Sequence, residues 1–322
     1  MRKLSILAAL AAFLVPATLR AQETLELKGS GWVNSKELSL DRLKGKVVIV
    51  FFFEEQCPRC IASIPARNQL RKNYADKPVV FIAINSGNPK SVIEDYVKSN
   101  KFEWPIFIDE RRETEKPFGF TISLQNIYQW FMIDPDGKLH RTAFDEKGVA
   151  EDIDKHLSEA KMLFDGISVP EKLKPMARDL EFGQYDPGVS ELATLAAKGP
   201  KDLQPAAEAM YDKLKPMAES GLEKARALEA EGKKYPAYGE YARVASWFRK
   251  TDYEKTATTA MAALKKDKEV QDELAAKALL DQAKALLSSS KKGEKEGAAP
   301  ILAALQKKYP GSEAAREAAK LK

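Results

Sequence analysis

Short, dense runs of apolar residues mark the first half of the chain and predict strands that are buried on both faces. These runs are rich in Val, Ile and Phe and occupy residues 47–53, 79–84, 106–108 and 127–133. Amphipathic segments that predict helices alternate with them, at residues 58–74, 89–100 and 148–165. Because the predicted strands and helices alternate along the chain, we expect an α/β domain with a central sheet flanked by helices.

The strand pattern ends at about residue 166, where the chain becomes rich in Ala, Leu, Glu and Lys. Apolar residues now recur at helical spacing, as Ala206, Met210 and Leu214 do. Breakers divide this half into short segments, at residues 187–188, 199–200, 236, 293, 297 and 310–311. We therefore predict an α/β domain at residues 22–165 and an all-α domain at residues 166–322.

One fragment recurs in the second half. Lys-Lys-Tyr-Pro occurs at residues 233–236 and again at residues 307–310, 74 positions later, which two helix pairs of about 37 residues would span. This half resembles tetratricopeptide-type helical repeats, most visibly at residues 303–315. The resemblance implies a concave surface for a peptide or a partner protein. The alternative is a helical cap that packs on the first domain or forms a dimer contact.

The first 21 residues have the three-part layout of a secretory signal peptide. Arg2 and Lys3 precede an apolar run at residues 4–15, and a region of small residues ends at Ala21. Twelve apolar residues are too few to cross a hydrocarbon core, which takes about twenty. We expect cleavage after Ala21, with Ala17 or an uncleaved anchor as the alternatives. The mature chain is then exported to the bacterial periplasm or the cell exterior and keeps no membrane span.

Most of the positive charge belongs to this leader. The chain has 52 Lys and Arg residues against 47 Asp and Glu residues, a formal net charge of +5. Removing residues 1–21 takes away Arg2, Lys3 and Arg20, which leaves 49 basic and 47 acidic residues. Nucleic-acid binding needs clustered cations, whereas the two signs are interspersed here, so no nucleic-acid partner is predicted.

Both cysteines of the chain lie in one C-x-x-C motif, Cys57-Pro58-Arg59-Cys60. The motif follows the first long predicted strand and begins the next helix. In an exported chain such a pair is expected to form a disulfide, or to exchange it with the thiols or disulfides of a partner protein. Pro58 suits the first helical position, where a backbone N–H has no partner to lose.

The helix N-terminus favours the thiolate of Cys57, because its unpaired N–H groups and the helix dipole stabilise negative charge. Cys57 is then the exposed, attacking sulfur, and Cys60 is the shielded, resolving one. We expect Arg59 to lower the pKa of Cys57 further, whereas Glu54 and Glu55 act against it.

Metal binding is not predicted. Two cysteines do not close a tetrahedral site, and His140 and His156 lack finger-like spacing, so both histidines are assigned to the surface. The segment Asp134-Pro135-Asp136-Gly137 predicts a tight turn between two strands, because a calcium loop needs more oxygen donors over about twelve residues.

With these elements, residues 28–165 resemble a thioredoxin-fold protein and are most similar to exported TlpA/ResA-like thiol-disulfide oxidoreductases. The resemblance rests on the C-x-x-C motif, on Pro65, and on the segments 43–52, 81–85 and 131–138. It implies a mixed sheet with flanking helices, a redox-active cysteine pair, and a kink of the first helix at Pro65. No cofactor is implied.

The sequence departs from that family around the cysteines. Gln56 stands where the family has a tryptophan, and the family's cis-proline position falls on Tyr128, preceded by Ile127. Because a non-proline cis bond costs about 2.5–4 kcal/mol, we expect a trans Ile127–Tyr128 bond and a reshaped substrate-docking loop. The two positions where relatives carry a proton-accepting acid hold Phe51 and Ser63.

Two functions fit these observations. The first is an exported thiol-disulfide oxidoreductase whose helical half holds a partner. The second is a non-catalytic scaffold or interaction protein with a structural disulfide, which the missing tryptophan, cis-proline and acids favour. Glu54 or Glu55 replaces the missing acid only if its loop turns toward Cys60. A peroxidase is excluded, because peroxiredoxins need Thr three residues before the reactive cysteine, where Glu54 stands.

Overall fold

The computed structural model of the protein describes residues 25–123, 126–287 and 292–321. The export signal predicted at residues 1–21 lies outside these ranges. Within them, a six-stranded mixed sheet with flanking helices comes first and an all-helical region follows. This order confirms the predicted fold class.

The sheet combines parallel and antiparallel pairing. Its strands are β1 (Gly31–Val33), β2 (Val47–Phe53), β3 (Val79–Ser86), β4 (Ile106–Asp109), β5 (Gln129–Ile133) and β6 (Leu139–Arg141). They are arranged in the order β1-β4-β3-β2-β5-β6, with β2, β3 and β4 parallel and the other pairs antiparallel. The four predicted strands are confirmed, although the last begins two residues later than expected. β1 was not predicted, since three residues make no dense apolar run.

Four helices pack around this sheet. They are α1 (Pro58–Ala62), α2 (Ile64–Asn73), α3 (Lys90–Asn100) and α4 (Glu146–His156). The helix predicted at residues 58–74 is interrupted at Ser63, and Pro65 is the second residue of α2. A break at this point agrees with the kink that the resemblance implied. The prediction for residues 148–165 was too long, because α4 ends at His156.

Strand β2 lies inside the sheet and buries all seven of its side chains. Ile49, Phe51 and Phe53 point into the cluster that contains both cysteines and the buried face of α2. Val48 and Phe52 belong to the cluster on the opposite face. Because both faces are covered, the strand has no polar alternation and reads as one continuous apolar run.

The turn between β5 and β6 has the predicted hairpin geometry. The N–H of Gly137 donates to the carbonyl oxygen of Asp134 at 2.9 Å, and Gly137 has a φ of +88°. The Asp134 carboxylate accepts from the backbone N–H of Lys138 at 2.8 Å. Glycine fits this left-handed position without steric cost, so the turn is set by local sequence.

Nine helices follow in the described part of the second half. They are α5 (Lys174–Glu181), α6 (Gly188–Lys198), α7 (Gln204–Ala230), α8 (Lys234–Trp247), α9 (Asp252–Leu264), α10 (Lys268–Leu287), α11 (Lys292–Glu296), α12 (Ala298–Lys308) and α13 (Glu313–Ala318). None of the helices within the described ranges is long and apolar enough to cross a bilayer.

These helices form two apolar clusters. The larger one joins α6, α7, α8 and α9, and the smaller one joins α10, α12 and α13. Pro236, predicted to break a helix, instead lies in the first turn of α8, where proline is tolerated. The two Lys-Lys-Tyr-Pro fragments take different positions, since residues 233–236 begin α8 and residues 307–310 end α12.

The helical region touches the sheet domain through charged side chains. Lys46, next to β2, forms a buried ion pair with Glu181 at the end of α5. Arg42 donates to the carbonyl oxygen of Gly183 at 3.2 Å and lies 5.0 Å from the ring centroid of Trp247. The carboxylate of Glu181 also accepts from the backbone N–H of Leu163, so the connecting segment is held at the same place.

Candidate functional site

Strand β2 carries the cysteine pair to the N-terminus of helix α1. Cys57 is the N-cap residue of α1 and Pro58 is its first helical residue, as the sequence predicted. The N–H of Cys60 donates to the Sγ atom of Cys57 at 3.1 Å. The two residues are joined by a disulfide, with their Cα atoms 5.1 Å apart. The sulfur of Cys57 therefore receives the partial positive charge of the helix end.

Both cysteines are part of the packed interior. Cys60 is fully buried and Cys57 is 6% exposed, and both belong to the cluster that includes Phe51 and Phe53. Cys57 is the more accessible of the two, as predicted. The structure corrects the expectation that it is exposed, because Cys57 is buried in the same apolar cluster as Phe51 and Phe53.

Glu54 and Glu55 are held by partners other than the cysteines. A carboxylate oxygen of Glu54 lies 3.2 Å from the Nη2 atom of Arg112, and Glu55 accepts a hydrogen bond from the side-chain amide of Asn88. Neither acid has a hydrogen bond to Cys60 in the described structure. The idea that one of them takes the place of the missing proton acceptor has no support here.

The loop before β5 places an aromatic ring beside the motif. The described residues contain one cis peptide bond, Asp186–Pro187, so the Ile127–Tyr128 bond is trans, as expected. The Arg59 guanidinium lies 4.6 Å from the ring centroid of Tyr128. Ile127 packs partly buried against the apolar clusters on both faces of the sheet. An aromatic surface thus occupies the position that the family gives to a cis-proline.

A fully buried arginine lies behind the disulfide. The Nη1 atom of Arg67 donates to the carbonyl oxygen of Cys60 at 3.1 Å, and its Nη2 atom donates to the hydroxyl of Ser63. Its guanidinium carbon lies 3.7 Å from the ring centroid of Phe51. Phe51 and Ser63 are the two positions at which the sequence lacks the family's acids. The interior beside the cysteines therefore carries the positive charge of a guanidinium and not the negative charge of a carboxylate.

Glu146, the first residue of α4, pairs with this arginine. Its Oε1 atom lies 3.4 Å from the Nε atom of Arg67 and 3.4 Å from the hydroxyl of Tyr128. Burial lowers the pKa of Arg67 from its ordinary value, while a hydrogen bond with Tyr128 and the nearby charge of Glu146 oppose that fall. Arginine stays protonated in proteins, so the buried group is a cation.

The sequence analysis missed Arg67, although its spacing carried a signal. Ile64 and Leu70 mark the buried face of α2. Arg67 and Asn68 follow Ile64 by three and four residues, which puts both polar side chains on that same face. A polar residue at an apolar position of an amphipathic helix is the signal that would have identified it.

Tyr96 adds a second polar group to this interior. It lies in α3, and its ring centroid is 5.3 Å from that of Phe53. Its hydroxyl is buried and has no hydrogen-bond partner among the described residues. Burial raises the pKa of Tyr96 to about 12, and the charge of Arg67 opposes that rise.

The two histidines lie close to each other. The side chains of His140 and His156 are partly exposed, at 29% and 27%, and their ring centroids are 5.5 Å apart. His140 pairs with Asp134 at 2.7 Å and His156 with Glu159 at 3.3 Å. The part of the chain that the structure describes contains no group of three or more His, Cys, Asp or Glu residues placed to hold a metal.

A mixed sheet in this strand order, with a C-x-x-C disulfide at the N-terminus of the helix after an inner strand, defines a thioredoxin-like fold. Residues 21–142 match the model of the AhpC/TSA family. The first part of the chain therefore has a thioredoxin-like fold and is similar to the AhpC/TSA family over these residues, and a helical region follows it.

Several curated proteins named as the thiol-disulfide oxidoreductase ResA are similar to this part of the chain. The chain is 31% identical over 107 residues to ResA of Bacillus thuringiensis subsp. konkukian, covering 33% of this chain and 60% of the relative. It is 26% identical over 106 residues to ResA of Bacillus subtilis, covering 33% of this chain and 57% of that protein. The chain thus spans about 60% of the length of these two relatives.

Solved structures of thioredoxin-like proteins also align with this part of the chain. A thiol:disulfide interchange protein of Chlorobium tepidum is 23% identical, with a TM-score of 0.36, and the alignment covers 42% of this chain and 95% of that one. The dsbF protein of Mycobacterium tuberculosis is 16% identical, with a TM-score of 0.35. Its alignment covers 41% of this chain and 96% of that one.

Proposed function

We propose that the protein is an exported thiol-disulfide oxidoreductase that exchanges its Cys57–Cys60 disulfide with protein thiols. The observation that carries this proposal is the disulfide itself, whose more accessible sulfur caps the N-terminus of α1 directly after strand β2. That position lowers the pKa of a cysteine thiol and makes it both a better leaving group and a more abundant thiolate.

The exchange takes place in two steps. A thiolate of the substrate attacks the Sγ atom of Cys57, the disulfide breaks, and its electron pair passes to Cys60, which leaves as a thiolate. A second substrate thiolate then attacks the substrate sulfur of the mixed disulfide and releases Cys57. The substrate is oxidised to a disulfide, and the cysteine pair takes up two electrons. Reduction of a substrate disulfide follows the same steps in reverse, with Cys57 as nucleophile and Cys60 as resolving thiolate.

The neighbours of the pair have supporting roles in this proposal. Pro58 fixes the first turn of α1, and Arg59 adds a positive charge on the exposed side of the motif. Ile127 and Tyr128 form the docking loop, with the Tyr128 ring as the surface against which an incoming polypeptide lies. Glu54 and Glu55 set the local charge before the motif but are held by Arg112 and Asn88.

The cellular location is part of the same proposal. The leader at residues 1–21 supports export to the periplasm or beyond, where disulfides persist. Sequencing the N-terminus of the protein recovered from a periplasmic fraction tests this directly. A chain that begins at residue 18 or 22 supports the proposal, and a chain that keeps its leader in the cytoplasm contradicts it.

The activity is tested with the mature protein in both directions of exchange. The oxidised protein is mixed with a reduced, unfolded protein substrate, and the reduced protein with a substrate that contains disulfides. We expect exchange in the wild type and none in Cys57→Ala. Cys60→Ala should accumulate a mixed disulfide, because the resolving sulfur is gone. Gln56→Ala, next to the motif and exposed, is the matched control.

The burial of Cys57 favours a second candidate, a scaffold whose disulfide is structural. At 6% exposure its sulfur is poorly accessible to a protein thiolate. In that case the wild type shows no exchange in either direction, the disulfide resists reduction by glutathione, and Cys57→Ala loses stability instead of activity. Loss of exchange activity without loss of stability would exclude this scaffold function.

We further propose that the helical region, with a tetratricopeptide-like character, binds the peptide or protein partner. Support comes from the packing of α8 between α7 and α9 and of α10 against α12 and α13, since stacked helices present an extended surface. The test uses full-length Cys60→Ala to trap partners in cells, followed by lysine cross-linking. Cross-links from the partner to residues 204–321 support the proposal, and cross-links to the sheet domain alone refute it.

A further inference from the structure

A positively charged side chain, that of Arg67, is buried next to Cys60. Arg67 is fully buried, and its guanidinium donates to the carbonyl oxygen of Cys60 at 3.1 Å. The Sγ atom of Cys60 belongs to the same residue and is fully buried in the same cluster. In such surroundings a charge acts over several ångströms with little screening, so the arginine and a thiolate at Cys60 attract each other.

The cation is only partly balanced while the disulfide is intact. Glu146 pairs with the Nε atom, but its side chain is 22% exposed and is partly screened by solvent. The guanidinium also donates to two uncharged oxygens, the carbonyl of Cys60 and the hydroxyl of Ser63. It lies near three aromatic rings as well, with centroid distances of 3.7 Å for Phe51, 4.9 Å for Tyr128 and 5.6 Å for Trp130. Aromatic faces stabilise a cation by much less than a buried anion does. The site therefore gains from a second negative charge.

We propose that Arg67 is a positioning residue that holds Cys60 as a thiolate when the disulfide opens, and so replaces the buried acid that this chain lacks. The inference rests on the proposed exchange function. A carboxylate would have to take the proton of Cys60 before the resolving attack. A fixed cation favours the thiolate from the outset, so no proton acceptor is needed beside Cys60.

This role fits both directions of the exchange. When a substrate thiolate attacks Cys57, the electron pair of the broken disulfide arrives on Cys60, next to the cation. When the pair acts as a reductant, the Cys60 thiolate attacks Cys57 in the mixed disulfide, and the substrate sulfur leaves with the electron pair. The cation stabilises the reduced form in both directions, so the pair should be a stronger oxidant than the same site without Arg67.

The other charged and titratable groups around Arg67 come from each element packed against it. Glu146 lies in α4, Tyr128 precedes β5, and Tyr96 lies in α3, with Glu55 near Tyr96. Arg59 of α1 reaches the other side of the Tyr128 ring. Burial raises the pKa of Tyr96 to about 12, so this tyrosine is neutral at pH 7. Of the acids in this set, Glu146 is the one that forms an ion pair with Arg67, so its charge opposes the effect of Arg67 most directly.

The first test measures the pKa of Cys60 alone, in a Cys57→Ala background, from the ultraviolet absorbance of the thiolate. Replacing Arg67 by methionine should raise this pKa by about one to two units, the usual effect of losing a close opposite charge. Arg67→Lys keeps the charge and should recover part of the shift. Near-ultraviolet circular dichroism of each variant shows whether the domain remains packed.

The second test changes a partly exposed residue, Glu146, and predicts a shift of the Cys60 pKa in the opposite direction. Glu146→Gln removes the competing carboxylate, so the pKa of Cys60 should fall and the pair should become more oxidising. Arg71→Met is the matched control, because Arg71 lies one turn further along α2 and lines a separate cavity of about 290 Å³. Arg71→Met makes the same charge change as Arg67→Met and should leave the pKa of Cys60 unchanged.

The third test is the reduction potential of the intact pair against glutathione at alkaline pH. Each unit by which the pKa of Cys60 rises moves the equilibrium tenfold toward the disulfide, or about 30 mV toward more negative potential. Arg67→Met should show this shift and Glu146→Gln the reverse. Equal potentials and an equal pKa of Cys60 in wild type, Arg67→Met and Glu146→Gln would overturn the inference while exchange persists. A wild type without exchange would instead refute the proposed function.

Discussion

Lys46 and Glu181 form an ion pair that is almost entirely buried between the sheet domain and the helical region. The side chain of Lys46 is 7% exposed and that of Glu181 is 2% exposed. The ammonium group also donates to the carbonyl oxygen of Lys161, and the carboxylate accepts from the N–H groups of Leu163 and Phe164. This polar cluster joins β2, the connecting segment and α5 at one point.

Removing the acid should leave a buried, unpaired cation. We predict that Glu181→Ala lowers the free energy of unfolding by about 3–5 kcal/mol, as breaking one side of a buried ion pair does. Lys36 and Asp179 form the matched control, an exposed pair that links the same two parts. Lys36→Met should cost about 1 kcal/mol or less. Urea denaturation of the three proteins measures both values.

The same variants test the boundary that we propose at residues 165 and 166. If the cluster holds the two parts together, limited proteolysis of Glu181→Ala should cut the connecting segment faster than in wild type. Equal rates of cleavage in wild type, Glu181→Ala and Lys36→Met would argue against that role for the cluster.

Two buried tyrosines should respond in opposite ways to loss of their hydroxyl groups. Tyr96 has no hydrogen-bond partner among the described residues, so Tyr96→Phe should raise the free energy of unfolding by about 1 kcal/mol. The hydroxyl of Tyr74 lies 2.9 Å from Asp154 and 3.2 Å from the carbonyl oxygen of Ala150. Tyr74→Phe should lower the same quantity by about 1 kcal/mol. Thermal or urea unfolding with the disulfide intact compares the two, and a destabilised Tyr96→Phe would contradict the prediction.

Asp109 should make the fold more stable at mildly acidic pH. Its burial raises the pKa to about 6, against the N–H groups of Thr114 and Glu113, which lower it. The unfolded chain releases this proton near pH 4, so between about pH 4 and pH 6 the folded state binds more protons. Stability due to this group is full below pH 4 and is lost as the pH rises through 6.

The Asp109→Asn variant isolates this contribution, because its side chain does not titrate. As the pH falls from 7 to 4, the unfolding free energy of wild type should rise by about 2–3 kcal/mol relative to that of Asp109→Asn. Asp95→Asn, at an exposed position of α3, is the control. Urea titrations at several pH values measure the trend, and a constant difference would show that Asp109 does not titrate as described.

The ring of Tyr128 should matter for protein substrates more than for small thiols. Tyr128→Ala removes the aromatic surface beside Arg59, so we expect kcat/KM for a protein substrate to fall about tenfold, the loss of roughly 1.4 kcal/mol of binding. Exchange with a small dithiol should change much less. Tyr128→Phe keeps the ring and should retain most of the activity. An equal loss with both kinds of substrate would place the effect on the disulfide and not on docking.

Much of the fold followed from local pattern. The continuous apolar run at residues 47–53 predicted β2, because a strand covered on both faces needs apolar residues at every position. Pro58 predicted the start of α1, and Gly137 closed the turn between β5 and β6. The strand, the helix start and the turn each depend on the backbone preferences or the apolar character of residues close together in the chain. These properties can be read from the sequence.

The strand β1 and the end of α4 could not be predicted in the same way. β1 has only three residues, Gly31–Val33, and exists because it pairs with β4 more than seventy residues away. The helical pattern continues past His156, yet the chain leaves the helix there to reach the junction with α5. Both depend on distant partners, so tertiary contacts decided them.

The cysteine site shows the same division. The sequence by itself determined that Cys57 and Cys60 lie in one motif at a helix N-terminus, and that Phe51 and Ser63 provide no acid. Only the tertiary structure showed that Arg67 lies against Cys60, Ser63 and Phe51. The reason is physical: helix and strand positions are set by nearby residues, whereas the sign of the charge beside a buried sulfur depends on side chains that separate elements bring together.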